Sequence, residues 1–165
     1  MELGVGSLDE SNLKRVYELA QRTNQLNFSG NRYQQPELAE LMHVTDLETY
    51  VIDARDRFGN YGIVGFGVVD LREPRLLDLM FSCRTQGKRV EHAVLSFLLK
   101  RFMPTRSQFY ANYRRTPKNT PGGKVFEEVG FEQVAENNGV SSLLFGGTRE
   151  IPDDRIVKVI LRETK

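Results

Sequence analysis

Apolar residues first alternate at Leu3 and Val5, which predicts a short strand ending before Gly6. Asp9 or Ser11 stands where a helix cap is expected, with Glu10 in the first turn. Leu13, Val16, Tyr17 and Ala20 then recur at helical spacing while Lys14, Arg15 and Glu18 face elsewhere, the pattern of an amphipathic helix. Residues 22–33 are polar and lack a period. Pro36 suits the first turn of a second helix carrying Leu38, Leu41 and Met42.

From Thr49 the period changes to two. Tyr50, Ile52 and Ala54 alternate with Val51, Asp53 and Arg55, and a turn over 57–62 leads to a second strand over 63–69, interrupted by Gly65 and Gly67. So short a connection implies antiparallel pairing. After a turn at 72–75, residues 76–81 form a third strand, with Asp78, Met80 and Ser82 on one face and Leu77, Leu79 and Phe81 on the other. Val90, Ala93, Val94, Phe97 and Leu98 make a helical stripe, broadened by Leu95, Leu99 and Phe102 and stopped by Pro104. Phe109, Ala111 and Tyr113 form the next strand, parallel to the one before the helix. Residues 114–123 read as loop, 124–129 as a short helix capped by Gly130, and Asn137-Asn138-Gly139 as a hairpin turn. A final segment places Val157, Val159 and Leu161 toward the core. The pattern describes one α/β domain over residues 1–165 with a mixed sheet and no internal repeat.

Composition narrows the function classes. Lys plus Arg number 23 against 22 Asp plus Glu, a net charge of +1 that gives no global attraction to nucleic acid or an anionic membrane. A single cysteine excludes an intrachain disulfide and fits a reducing compartment, and with 2 histidines no zinc cluster or other metal site is expected. No apolar run approaches the roughly 20 residues that span a bilayer, and the first residues lack a secretory pattern. The cytoplasm is the expected location.

The most informative local feature lies between the third strand and the most apolar helix: Ser82-Cys83-Arg84-Thr85-Gln86-Gly87-Lys88-Arg89-Val90-Glu91. A helix start offers unpaired N–H groups to phosphate, Gly87 permits close approach, and Arg84, Lys88 and Arg89 neutralise charge. A solvated basic turn is the plainer reading of the same residues. Strand, Arg84-Thr85-Gln86-Gly87-Lys88-Arg89 and helix together resemble the pyrophosphate-binding turn of the GNAT acyltransferase superfamily. Arg84 and Gly87 match its pattern, and Arg89 departs from its last small position. Gln21-Arg22-Thr23-Asn24-Gln25-Leu26-Asn27, Asp56-Arg57-Phe58-Gly59, the turn itself and Thr116-Pro117-Lys118-Asn119 occur in an order that resembles one branch more closely. That branch is the C-terminal GNAT-like region of HAD-like proteins that prepare glyceryl-carrier-protein units for polyketide pathways.

The resemblance implies a GNAT-like acyl-CoA N-acyltransferase fold, with a mostly antiparallel mixed sheet flanked by helices. It also implies a gap beside the third strand in which pantetheine lies, a cofactor site comprising Cys83, Arg84, Gln86, Gly87, Lys88, Arg89, Val90 and Asn119, and acyl-CoA or a phosphopantetheine thioester as donor or ligand. An acyl carrier protein is the implied partner, with an upstream HAD-like domain in a longer chain; no Asp-x-Asp region is present in this sequence. The family places a tyrosine acid where Phe126 stands, and phenylalanine donates no proton.

Asp78, on the polar face of the strand entering the turn, is the candidate general base; a solvated aspartate near the loop or a partner of Arg75 is the alternative. Cys83 is either an activated nucleophile or, more in keeping with its residue type, a buried packing thiol. Arg22, Thr23, Asn24, Gln25, Asn27 and Arg32 are candidates for substrate or carrier recognition, or for building the long turn that contains them. Arg114, Arg115 and Lys118 are further phosphate or carrier contacts. Two functions follow: an acyl-CoA or acyl-pantetheine transfer domain in carrier-protein biosynthesis, or a noncatalytic carrier-recognition module on the same scaffold.

Overall fold

The computed structural model describes residues 1–120 and 122–162. Its strands are β1 (Glu2–Gly6), β2 (Leu47–Asp56), β3 (Gly59–Asp70), β4 (Arg75–Phe81), β5 (Gln108–Arg114), β6 (Glu132–Asn137), β7 (Val140–Gly146) and β8 (Lys158–Leu161). They form one eight-stranded sheet in the order β6-β7-β5-β4-β3-β2-β1-β8. Two pairings are parallel, β4 with β5 and β1 with β8.

The helices follow from the apolar stripes. In α1 (Leu13–Arg22), Val16, Leu19 and Ala20 are buried. In α2 (Gln35–Leu41), the Glu37 carboxylate accepts the Gln34 N–H at 3.1 Å and fixes the first turn. Both pack on one sheet face against Val51, Phe66, Val68 and Met80. The opposite face carries α3 (Val90–Phe102) and α4 (Lys124–Val129) over Leu76, Leu79, Phe81, Phe109 and Phe145. Gly130 ends α4 at φ 118°, as its position predicts. At the hairpin, Asn138 (φ 52°) and Gly139 (φ 79°) form the left-handed pair whose twist matches the flanking strands.

Four local expectations are corrected. Asn12, not Asp9 or Ser11, is the cap residue of α1; Asp9 organises the turn before it by accepting the Ser11 N–H at 2.8 Å. On β4, Val68 pairs with Asp78 but Val69 pairs with Leu76, so Leu77 is an extra, bulged residue. The bulge breaks the alternation: Leu76 joins Leu79 and Phe81 in the α3 core, and Leu77 packs with the α1–α2 cluster. Leu161 is exposed rather than core-facing, at the sheet edge where β8 pairs with β1. Cys83 is exposed, not a packing thiol. Of the loop over 114–123, Pro121 lies outside the described residues.

The feature that positions the candidate site is the brevity of the β4–β5 ladder. Only Arg75–Tyr110 and Leu76–Ala111 are paired, so the strands separate as β4 runs toward the turn at residue 82.

Candidate functional site

The turn starts where β4 stops. Ser82 N–H donates to Val64 O at 2.7 Å, and the Ser82 carbonyl accepts Thr85 N–H (3.1 Å) and Thr85 Oγ1–H (2.9 Å). These bonds coil Cys83–Thr85 into one 3-10 turn, closed by Gln86 N–H to Cys83 O and Lys88 N–H to Thr85 O, both 3.1 Å. Gly87 (φ 77°) and Arg89 (φ 61°) then adopt left-handed backbone on the way into α3. Such alternation makes a concavity of N–H groups suited to an anion. Among the described residues, no backbone carbonyl accepts the N–H groups of Gly87, Arg89 or Val90. A Cβ built on Gly87 meets nothing within 4 Å, so the space over the turn is open.

The basic residues around this turn are not equivalent. Arg84 is exposed and its Nε donates to Ser82 Oγ at 3.3 Å. Lys88 Nζ lies 3.9 Å from Asp56 and 3.4 Å from the Tyr61 hydroxyl. Arg89 is ion-paired with Asp154 from the segment leading to β8. The Ile156 N–H and then Arg89 hold the Asp154 carboxyl below its usual range. Arg84 is thus the cation most available to a ligand. Gln86 and Cys83 are exposed beside it, whereas Val90 is fully buried in the core and offers only its backbone.

Glu91, in the first turn of α3, is a feature that sequence reasoning missed. It is buried, and burial raises its pKa above 4.5, the ordinary value. A raised folded-state value means that the charged form penalises the fold at neutral pH; the penalty fades as pH falls through that value toward 4.5. Glu91→Gln is therefore expected to raise Tm at pH 7 by a few degrees and to show a smaller difference at pH 4. Thermal melts at both pH values check this.

The gap between β4 and β5 is occupied by the chain itself. Residues 26–28 run antiparallel to β4 about the Asn27–Met80 bridge. Phe28 N–H donates to Leu79 O and Phe81 N–H to Leu26 O, both at 3.0 Å. On the β5 side, Arg114 N–H donates to Phe28 O at 2.9 Å. Leu26 and Phe28 are buried, and the Phe28 ring meets Phe126 edge-on at 5.4 Å and Tyr113 at 6.3 Å. Phe126, standing where an acid was expected, is a core residue of this aromatic cluster.

Asn119 fastens the segment. Its Nδ2 donates to Asn27 O and Arg114 O, both 2.8 Å, while its Oδ1 accepts Thr116 N–H (2.8 Å) and the Tyr113 hydroxyl (3.2 Å). That exhausts the amide's hydrogen-bonding capacity. Asn119 is also fully buried, so it holds residues 26–28 rather than facing the turn.

The remaining candidates around residues 22–32 mostly build the same loop. Thr23 Oγ1 donates to Leu19 O at 2.8 Å, Asn27 Nδ2 donates to Asn31 O at 2.8 Å, and Asn27 Oδ1 accepts Gly30 N–H at 3.0 Å. Arg32 donates to Gln21 O at 2.6 Å and to Asn24. Arg22 and Gln25 are exposed. Asp78, buried beneath this loop, accepts from Asn31 Nδ2 at 2.6 Å through one oxygen and from the Tyr33 hydroxyl through the other. Burial, then the Asp78 charge, pushes the Tyr33 pKa upward, so Tyr33 remains a hydrogen-bond donor at neutral pH. The carboxylate that sequence suggested as a base thus anchors the loop through both oxygens. Arg75, its alternative partner, instead bonds Asn112 at 2.8 Å and Ser142 at 2.9 Å. Among the described residues no group of histidine, cysteine and carboxylate side chains could hold a metal, and no helix is long and apolar enough to cross a membrane.

Solved structures share this architecture. A domain from Methanocaldococcus jannaschii DSM 2661 matches with a TM-score of 0.71 at 17% identity, over 87% of this chain and 97% of that one. The spermidine N-acetyltransferase from Vibrio cholerae, in complex with CoA and spermine, matches at 0.66 and 17% identity, over 88% and 96%. The ribosomal-protein-S18-alanine N-acetyltransferase from Escherichia coli matches at 0.63 and 14%, over 86% and 90%. The fold is that of the GNAT acyltransferases, a mixed eight-stranded sheet flanked by helices. No protein-family model matches the chain, and no curated protein sequence matches it.

Proposed function

We propose that this chain is a GNAT-fold recognition domain for the phosphopantetheine group of an acyl carrier protein, working in polyketide-precursor biosynthesis beside a HAD-like catalytic domain. The observation that carries the reading is the anion-ready turn, in which the N–H groups of Gly87, Arg89 and Val90 have no backbone partner among the described residues and lie beside Arg84. A phosphodiester linking carrier and prosthetic group fits such a site by charge and by donor geometry. CoA presents the same chemistry, and the Vibrio cholerae protein of this fold is a CoA complex. The order of motifs along the sequence supports the carrier and the HAD-like neighbour as partners, in the cytoplasm.

Autonomous acyl transfer from acyl-CoA or acyl-pantetheine is the second reading, favoured by the fold itself. Recognition without transfer fits the site better. Asp78 has both oxygens engaged, and Phe126 has no proton to give. Calorimetry with acyl-CoAs and with holo-carrier protein, followed by intact-mass analysis of acceptors, separates the readings. Binding without a mass change is expected; acyl transfer lost in Asp78→Asn with binding intact would establish the second reading instead. Failure to bind both ligand types would reject both readings.

The paired variant Arg84→Ala/Arg89→Ala is expected to weaken holo-carrier binding about tenfold or more at low salt. Added salt should narrow the difference, since the lost interaction is partly screened already. Titrations at two ionic strengths check this, with circular dichroism confirming that the variant is folded.

A further inference from the structure

We infer that residues 26–28 act as a resident strand that makes the turn selective for phosphate while excluding the amide-bearing arm attached to it. The inference rests on the reading of the turn as a phosphopantetheine site and specifies how that site is used. An arm extending from a phosphate at Gly87 into the sheet needs the edge of β4 that faces β5. On that edge, Leu79 O and Phe81 N–H already bond the chain's own backbone. The backbone of residues 26–28 bridges the two strands there, and the side chains of Leu26 and Phe28 are buried in the core beneath α3 and α4.

The strand is firmly held. Withdrawing it would break its bonds to Leu79, Phe81, Arg114 and Asn119 and return two large apolar side chains to water. Each buried side chain alone favours the closed arrangement by about tenfold or more. An arm entering the gap would replace similar hydrogen bonds and gain little that the resident strand lacks. The arm of a bound carrier therefore stays outside the sheet, with its thiol accessible to the catalytic centre of a neighbouring domain. This division of labour matches an Asp78 that hydrogen-bonds the loop through both oxygens and an aromatic Phe126: the chain grips the phosphate, and the chemistry at sulfur happens elsewhere.

The test compares ligands on the wild-type chain. CoA and 3′-phosphoadenosine 5′-diphosphate, which lacks the arm, are expected to bind within about threefold of each other, with the hydrogen-exchange protection of the Phe28 and Phe81 amides unchanged by CoA. The thiol of bound holo-carrier is expected to react with a disulfide reagent as fast as in free carrier. Tighter binding of CoA by tenfold or more, with loss of protection at Phe28, would overturn the inference while leaving the phosphate site intact. A tenfold slower thiol reaction on binding would do the same. If neither nucleotide nor carrier binds, the phosphate site itself is rejected and the inference falls with it.

Discussion

Phe28→Ala is expected to destabilise the fold by about 3–5 kcal/mol, the range for truncating a fully buried aromatic side chain. Phe28 has no exposed surface and sits edge-on to Phe126 within the aromatic cluster that closes the β4–β5 gap. The truncation removes that packing and leaves a cavity between β4, β5 and α4, where collapse is limited because the flanking strands are held by their own ladders. Urea denaturation monitored by circular dichroism gives the value. A cost below about 1 kcal/mol would mean that residues 26–28 are only loosely seated and that the gap opens readily, contrary to the role assigned to them. Phe28→Leu, which retains much of the apolar volume, should recover a large part of the loss.

The elements nearest this gap differ in how legible they were in the sequence. The β4–α3–β5 unit was readable because Val90, Val94 and Leu98 repeat with helical period between two alternating runs, and because Pro104 marks the end. The Asn138–Gly139 hairpin was readable because its turn demands left-handed residues. The facing of Leu77 was not, since one bulged residue reverses an alternation without changing composition. Nor was the placement of residues 26–28. Leu26-Asn27-Phe28 does alternate, but three residues are too few to announce a strand, and their partners on β4 and β5 lie far along the chain. A sharper signal was available in the pairing of that alternation with a dense run of asparagine, serine and glycine over 27–31, residues that hydrogen-bond backbone locally. The exposure of Cys83 was hidden for a related reason: it lies on the 3-10 turn that begins just past the end of β4.

The polar half of the same device gives the second large effect. Asn119→Leu is expected to cost about 3 kcal/mol or more, although leucine is close in size and more apolar. The carbonyls of Asn27 and Arg114, the Thr116 N–H and the Tyr113 hydroxyl all bond this one side chain. Buried groups stripped of a partner lose about 1–3 kcal/mol each, so even partial access to water leaves a large net loss. Asn119→Asp keeps the two accepting interactions and loses both donations, so it separates the latch on Asn27 and Arg114 from the support of the 116–119 turn. Because Asn119 holds Asn27 and Phe28 holds its place between the strands, the two residues stabilise one arrangement. A double-mutant cycle of Asn119→Leu with Phe28→Ala should show the second substitution costing at least 0.5 kcal/mol less once the first is present. Simple additivity would indicate that Asn119 supports only the 116–119 turn, and would remove it from the account of how the gap is kept closed.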